Sequence, residues 1–346
     1  MEQTQKQDIK SLYPEELQDI LKEMGEPAFR AKQIFSWFSK GIRSFDEMSN
    51  ISKGLRKKLS ERFYLTAPKI SRKQVSRMDG TIKYLWELLD GNCIESVVMR
   101  YEYGNTICVS SQVGCKMGCA FCASTLNGHV RNLTASEILD QVIFAQMDSG
   151  LKISNIVMMG IGEPLDNFDN VIRFLKLVNH PQGLNIGMRH ISLSTCGLVE
   201  KVDKLAQFNI QLTLSVSLHA PDDETRTKIM PINKHCGVDR LFESCESYFK
   251  ETGRRITFEY AMIDGVNDTP YHANLLVKRL SGLGCHMNLI PLNNVEESKL
   301  HPSTKKAMKE FTDILKKGNI NYTIRRRLGS DIDASCGQLR RKAMKS

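Results

Sequence analysis

Cys115, Cys119 and Cys122 fall within the stretch CKMGCAFC. Three thiolates at that spacing can wrap one inorganic iron–sulfur cube. Such a cube usually takes four cysteine ligands, so a three-cysteine loop leaves one iron open to a non-protein ligand. The rival is zinc, which wants four tetrahedral ligands, the last of which His129 could supply. Further along, Gly162 and Glu163 follow a strand-like segment that ends at Met159. Ser194 ends the next such segment, Ser217, Leu218 and His219 end another, and Asn293 closes the one through Pro291. Singly these are bland: Gly-Glu-Pro is a common turn, and a lone His219 is ordinarily structural. Small, hydroxyl, amide and acidic side chains at four successive strand ends are a pattern suited to a polar ligand.

The elements that must position these residues can be read from periodicity. From Thr106 onward, strand-like and helix-like stretches alternate. Strands are expected at Ile107–Val109, Asn155–Met159, Ile191–Ser194, Gln211–Ser217, Arg255–Met262, Met287–Pro291 and Tyr322–Arg325. Helices such as Thr134–Ser149 and Ser303–Lys317 lie between them. A repeated βα pattern implies a parallel sheet, here about six units, hence an α/β fold with a partial (β/α)6 TIM-like barrel. Barrel chemistry sits where strands end, which is where the residues above fall. The first fifty residues read as helices, with Pro14 at a first helical position and apolar Leu17, Ile20, Leu21 and Met24 on one side. A second helix is expected over Phe29–Lys40, and a basic one over Lys53–Arg62. Asp79-Gly80 and Asp90-Gly91 mark turns around strands Ile82–Leu88 and Cys93–Tyr101, a short antiparallel meander joining two domains. The expected division is residues 1–67 as a helical RNA-binding accessory domain, 68–105 as a strand extension, 106–330 as the barrel and 331–346 as a C-terminal segment.

Composition limits the functional class. The chain has 346 residues, 41% of them hydrophobic, and ten cysteines. That is too few cysteines for a disulfide scaffold. Its longest apolar runs are too short to span a bilayer. The first dozen residues lack the apolar stretch of a secretory signal, so a reduced, cytoplasmic setting is expected. Net charge is +9. Between Ile51 and Gly80 nine basic residues (Lys53, Arg56, Lys57, Lys58, Arg62, Lys69, Arg72, Lys73 and Arg77) face two acidic ones, Glu61 and Asp79. Arg325, Arg326, Arg327, Arg340, Arg341, Lys342 and Lys345 form a second cluster. Two basic clusters suggest a polyanion partner, with a solvated surface as the plain alternative.

The CxxxCxxC spacing, with Phe121 before the last cysteine, resembles the radical S-adenosylmethionine (SAM) superfamily. Five stretches together carry a closer likeness: CVSSQVGC from Cys108, MMGIGEPL from Met158, SLHA from Ser217, MPIN from Met230 and GSDIDASCGQL from Gly329. They resemble the RlmN/Cfr family of RNA adenine methyltransferases across nearly the whole chain. Pro164 favours the C2-methylating RlmN branch, since C8-methylating Cfr-type sequences tend to carry alanine there.

The resemblance implies one [4Fe–4S] cluster on Cys115, Cys119 and Cys122, and two SAM molecules per turnover. It implies SAM contacts from Gly162, Glu163, Ser194, Ser217, Leu218, His219 and Asn293. Cys336 corresponds to a cysteine that carries the methyl group, Cys108 to its partner thiol in a transient disulfide, and Glu95 to a proton acceptor. On residues alone Cys108 reads as a strand residue and Glu95 as a solvated charge. Cys93, Cys196, Cys236, Cys245 and Cys285 read as packing. The implied substrates are an adenine of 23S rRNA and the tRNA adenine just 3′ of the anticodon. The implied electron donor is a flavodoxin or ferredoxin, with no membrane association and a monomeric enzyme. Two alternatives stand: a Cfr-like C8 methyltransferase, and a non-catalytic Fe–S protein that binds RNA or senses redox state.

Overall fold

The computed structural model describes residues 6–126, 128–292, 300–326 and 328–332. The N-terminal part holds β1 (Gln7–Asp8), α1 (Pro14–Glu23), α2 (Phe29–Phe38), α3 (Lys53–Arg62) and β2 (Phe63–Tyr64), with β1 and β2 paired in parallel. Pro14 opens α1 where its missing N–H is no loss. The Glu16 carboxylate reaches back to accept the Tyr13 N–H at 2.7 Å. Ser52 caps α3 by accepting the Leu55 N–H at 3.2 Å.

β3 (Lys69–Val75), β4 (Ile82–Glu87), β5 (Cys93–Tyr101) and β6 (Gly104–Cys108) form an antiparallel run. β7 (Gln112–Gly114) and β8 (His129–Asn132) pair with each other, and the loop carrying the three clustered cysteines hangs between them. α4 (Ala135–Ser149), β9 (Ile153–Met158), α5 (Phe168–Asn179), β10 (Ile191–Thr195), α6 (Val199–Gln207) and β11 (Thr213–Ser217) follow. The chain continues through α7 (Asp223–Ile229), α8 (Val238–Thr252), β12 (Ile256–Met262), α9 (Pro270–Leu280), β13 (Cys285–Pro291), α10 (Lys305–Lys317) and β14 (Tyr322–Ile324). β6 and β9 to β14 are parallel neighbours in one sheet, whose order is β14-β13-β12-β11-β10-β9-β6-β5-β4-β3. This is the incomplete α/β barrel expected from the alternation. The meander is not a separate connector: β5 pairs with the first barrel strand, β6, so β3 to β5 extend the barrel sheet. β3 itself was not anticipated. It is an edge strand with exposed Lys69, Arg72 and Lys73, charges that discourage edge-to-edge pairing.

Side chains alternate across a strand, so register assigns the two faces of the sheet. Ile107, Ile156, Leu193, Leu214, Val216, Phe258 and Leu289 are buried in the main hydrophobic core with the helices. The opposite face carries Cys108, Ser192, Ser194, Ser215, Ser217, Glu259 and Asn288, which the pairings place row by row. A parallel sheet covered by helices on both faces would be apolar on both. A polar inner face marks a lumen built to hold something polar.

The N-terminal helices share that core: Leu17, Leu21, Ile34, Phe35, Leu55 and Leu59 are contiguous with α4 and α5 residues. Polar contacts fix the docking. Lys10 is fully buried against Asp140 of α4 and donates to the Thr66 carbonyl at 2.9 Å. Arg173 of α5 grips Glu16 with two hydrogen bonds, at 2.6 and 3.0 Å.

Candidate active site

Cys115, Cys119 and Cys122 line one cavity of about 290 Å³ at the strand ends of the barrel. The loop is braced from behind. Ala120 N–H donates to the Ile229 carbonyl at 2.9 Å, at the end of α7, and Met230 lines the same cavity. Phe121 packs edge-to-face on His219, ring centroids 4.7 Å apart, which ties the loop to the end of β11. Burial pushes the Cys115 thiol up to about 12 and Cys119 higher still, and the charges of neighbouring cysteines add to both rises. Thiols so placed are poor thiolates by themselves and need a strong local positive charge to ionise, which a metal supplies. Among the described residues no three Cys, His, Asp or Glu side chains converge on a point suited to a single ion. His129 lies near Asn132 Oδ1, 3.3 Å away, and does not line the cavity, so it is not placed to be a fourth zinc ligand there. Thiols spread around one chamber suit a multi-iron cube.

Gly162, Glu163, Ser194, Ser217 and His219 line that chamber too. Glycine is required at the β9 end. A side chain at Gly160 would meet the Val109 carbonyl at 2.6 Å, and Gly162 adopts φ +106° against the Gln112 side chain. Glu163 is buried and accepts the Leu165 N–H at 3.0 Å and the Cys196 N–H at 2.7 Å. Burial raises its pKa, and these amides oppose the rise. A carboxylate has about four acceptor positions, and beyond these two amides the side chains of Thr195 and Cys196 also donate to it. His219 holds φ +56° and accepts the Ala261 N–H on Nδ1 at 2.8 Å, leaving Nε2 as the protonated nitrogen. Burial lowers its pKa to about 3, with Arg226 adding to the fall, so it is a neutral imidazole.

Leu218 corrects the expectation. Its side chain is fully buried in the hydrophobic core and does not line the cavity. The strand period turns Ser217 inward and Leu218 outward, and the left-handed backbone at His219 brings the chain back. Cys108 and Glu95 sit apart from the thiol chamber, on β6 and β5. Glu95, read from its residue type as solvated, is buried and bonded to Lys83 at 2.9 Å. Cys108 is half-buried and free, and all described cysteines are free. Asn293 and Cys336 lie outside the described residues.

Several residues escaped the sequence reading. Cys196, read as packing, is buried in the cavity wall beside Glu163 and Cys119. Glu259 of β12 and Arg325 after β14 also line it; Asn288 donates to Glu259 at 2.8 Å. Arg226 of α7 is 1% exposed. It donates to the carbonyls of Leu218 (3.1 Å), Cys196 (2.7 Å) and Ser217 (3.2 Å), and to Asn233 Oδ1 (2.8 Å). It thereby clamps the ends of β10 and β11 together. The only advance signals for these residues were a buried-looking arginine before MPIN and a thiol just past a strand end.

The basic stretch around α3 and β3 is surface. Lys53, Lys57, Lys58, Arg62, Lys69, Arg72, Lys73 and Arg77 are exposed. Part of this charge is engaged, as in Lys58–Glu26 at 3.1 Å and Arg62–Glu23 at 3.3 Å. Among the described residues no helix is long and apolar enough to cross a membrane.

Comparison with known proteins agrees with this geometry. Residues 109–275 match the radical SAM superfamily, and residues 7–65 match the ribosomal RNA large subunit methyltransferase N-terminal domain. A probable dual-specificity RNA methyltransferase RlmN of Alkaliphilus oremlandii is 53% identical over 99% of this chain and 100% of its own length. The protein so described in Clostridium perfringens is 55% identical over 96% of each chain. The crystal structure of a radical SAM methyltransferase from Sphaerobacter thermophilus superposes with a TM-score of 0.90 at 42% identity, covering 96% of this chain and 98% of that one. With three thiols on the chamber and an N-terminal part matched separately, the chain belongs to the RlmN family of radical SAM methyltransferases.

Proposed function

We propose that this enzyme methylates C2 of adenine in RNA, in 23S rRNA and in tRNA next to the anticodon, by way of a methyl group carried on Cys336. The observation that carries the reading is the shared chamber: Cys115, Cys119, Cys122 and Glu163 on one wall system, in a chain alike over its whole length to RlmN proteins. Adenine C2 lies between two ring nitrogens and is electron-poor, so it does not attack an electrophilic methyl group. A [4Fe–4S] cluster held by the three thiols would supply the single electron that cleaves SAM and opens a radical route. Glu163, its carboxylate fixed by two backbone amides, offers a negative charge to the SAM ammonium. Ser194, Ser217 and the Nε2–H of His219 offer hydrogen-bonding groups to the rest of the molecule. Cys336 accepts a methyl group as a thiolate, by ordinary displacement. The sulfur-bound carbon, as a radical, bonds to C2, and the adduct gives back one electron and passes the C2 proton to Glu95. Cys108, having lost its own proton, then attacks the Cys336 sulfur; the S–C bond breaks, the carbon takes up a proton as the new methyl group, and a disulfide is left between the two cysteines.

An adenine stacked in a helix cannot reach a barrel mouth, so the target must be single-stranded or flipped out. The exposed basic α3 and β3 would hold the surrounding phosphates. A flavodoxin or ferredoxin as donor, a monomeric state and a cytoplasmic setting complete the proposal. The test is anaerobic reconstitution with iron, sulfide, SAM and a reductant, followed by deproteinised RNA and nucleoside mass spectrometry. 2-Methyladenosine with 5′-deoxyadenosine and methionine is expected. 8-Methyladenosine would instead make this a Cfr-type enzyme, and absence of SAM cleavage would leave a non-catalytic Fe–S protein.

A further inference from the structure

Lys83 is an unusual residue for its place. It lies in the middle of β4, is 0% exposed, and its ammonium is 2.9 Å from Glu95 Oε2, itself 3% exposed. Burying an ammonium is costly unless it is paired and hydrogen-bonded, and a buried ion pair seldom adds stability over an apolar pair of the same size. Register shows what the ammonium serves. Lys83 pairs with Val97 across β4 and β5, and Val97 pairs with Cys108 across β5 and β6. Lys83 and Cys108 are therefore in one cross-strand row, and Glu95 lies two residues along β5 on the same face.

We propose that Lys83 is a positioning residue of the acid–base site: its ammonium offsets the Glu95 carboxylate so that Cys108 can lose its proton beside a fixed negative charge. The inference rests on the functional reading of Cys108 and Glu95 given above. Four charged or titratable groups face Cys108: Arg325 from beyond β14, Lys83 from β4, and Glu95 and Tyr101 from β5. Burial pushes the Cys108 thiol up; Arg325, the Met159 backbone and Lys83 act to lower it, while Glu95 adds to the rise. Two cations thus stand against two potential anions. With Lys83 in place, Glu95 and a Cys108 thiolate can coexist in the barrel wall. Without it, the Glu95 charge opposes the thiolate through a medium of low dielectric with one cation fewer to offset it.

The test reads the thiol directly, on cluster-loaded protein kept anaerobic, with neither SAM nor RNA present. Iodoacetamide is the probe. The thiol proton goes to solvent, the thiolate forms an S–C bond and iodide leaves. The rate at Cys108 is followed by peptide mass spectrometry from pH 6 to 10. Lys83→Gln is expected to move the profile to higher pH, lowering the rate near pH 8 about tenfold, the lower end of what one nearby charge does. Lys83→Arg should restore it, and Glu95→Gln should move it the opposite way. If Lys83→Gln does not accumulate as folded protein, Glu95→Gln decides. Profiles that are the same in the wild type and Glu95→Gln, including a thiol that never reacts, overturn the proposal. The functional reading fails separately: there Glu95→Gln methylates RNA at the wild-type rate, whatever the alkylation shows.

Discussion

Replacing Arg226 by methionine tests whether the chamber depends on a buried clamp. The change keeps an unbranched, flexible side chain but shortens it, and removes the charge together with four hydrogen bonds of 2.7–3.2 Å. Two effects oppose each other. Arg226 is almost wholly buried, and burial lowers its pKa, so the folded protein carries a desolvation cost that methionine removes. Against that, the carbonyls of Cys196, Ser217 and Leu218 and the Asn233 amide oxygen stay buried and lose a charged donor. Leaving a buried acceptor without its donor costs about 1–3 kcal/mol. Four acceptors lose one here, so the second effect should win, with a net loss of about 3–5 kcal/mol after the desolvation relief. For a chain of this size that is a fall in Tm of roughly 4–7 °C. Differential scanning calorimetry at neutral pH, on cluster-free and cluster-loaded protein, gives the number. Arg226→Lys should fall between, since one ammonium cannot reach four acceptors held by a planar fork. A loss below about 1 kcal/mol would show that these carbonyls find water or relax, and that the clamp does not hold the strand ends.

Alanine at any of Cys115, Cys119 or Cys122 should abolish the brown Fe–S absorbance and SAM cleavage; a triple variant that still methylates RNA would end the cluster reading. Reversing Lys53, Lys57, Lys69 and Arg72 to glutamate should weaken RNA binding and flatten its salt dependence, by roughly 0.7–0.9 in log–log slope per lost phosphate contact. SAM binding without RNA should be unchanged. His219, with its folded pKa depressed to about 3, contributes stability that is full above its unfolded value. That contribution is lost as pH falls from about 6.5 toward 3, at about 1.4 kcal/mol per unit. His219→Asn should flatten that limb of the urea-unfolding profile, and an unchanged slope would mean the imidazole already titrates in the folded protein. Cys336→Ala should stop methylation with the cluster intact, whereas Cys108→Ala should accumulate a covalent protein–RNA adduct on denaturing gels; normal turnover by either variant removes the methyl-carrier scheme.

What the sequence made legible was whatever repeats with a period or sits in a dense motif. Seven parallel strands were placed to within a few residues, because β-branched runs recur between capped helices such as Thr134–Ser149. The three cysteines and the Gly162–Glu163 turn were legible because chemistry and spacing coincide. Leu218 was misassigned because a motif read as a string hides the alternation of faces: Ser217 and Leu218 are adjacent in sequence and opposite in space. Glu95 and Lys83 could not be read from residue type, since twelve positions and a hairpin separate partners that only β4–β5 register brings together. Arg226 and Cys196 were hidden for the same reason, being joined by a side chain that crosses from α7 to the end of β10.

Two buried carboxylates show how one fold can divide its labour. Glu163, in the loop after β9, and Glu95, on β5, are both buried acids, and composition cannot tell them apart. Their partners do. Glu163 is held by the backbone amides of Leu165 and Cys196 and by the side chains of Thr195 and Cys196, all neutral donors. Such a site gains when an ammonium arrives, because the carboxylate has no countercharge of its own among these bonds. Glu95 already has an ammonium, Lys83, at 2.9 Å. A second cation would gain little there, but a neutral C–H acid could pass its proton to the carboxylate, leaving Lys83 with its charge and the local field shifted toward a thiolate at Cys108. In the proposed scheme, binding a charged cofactor and accepting a proton from carbon would be separated by what each carboxylate is paired with: neutral donors at the end of β9 for Glu163, and the Lys83 ammonium set by β4–β5 register for Glu95.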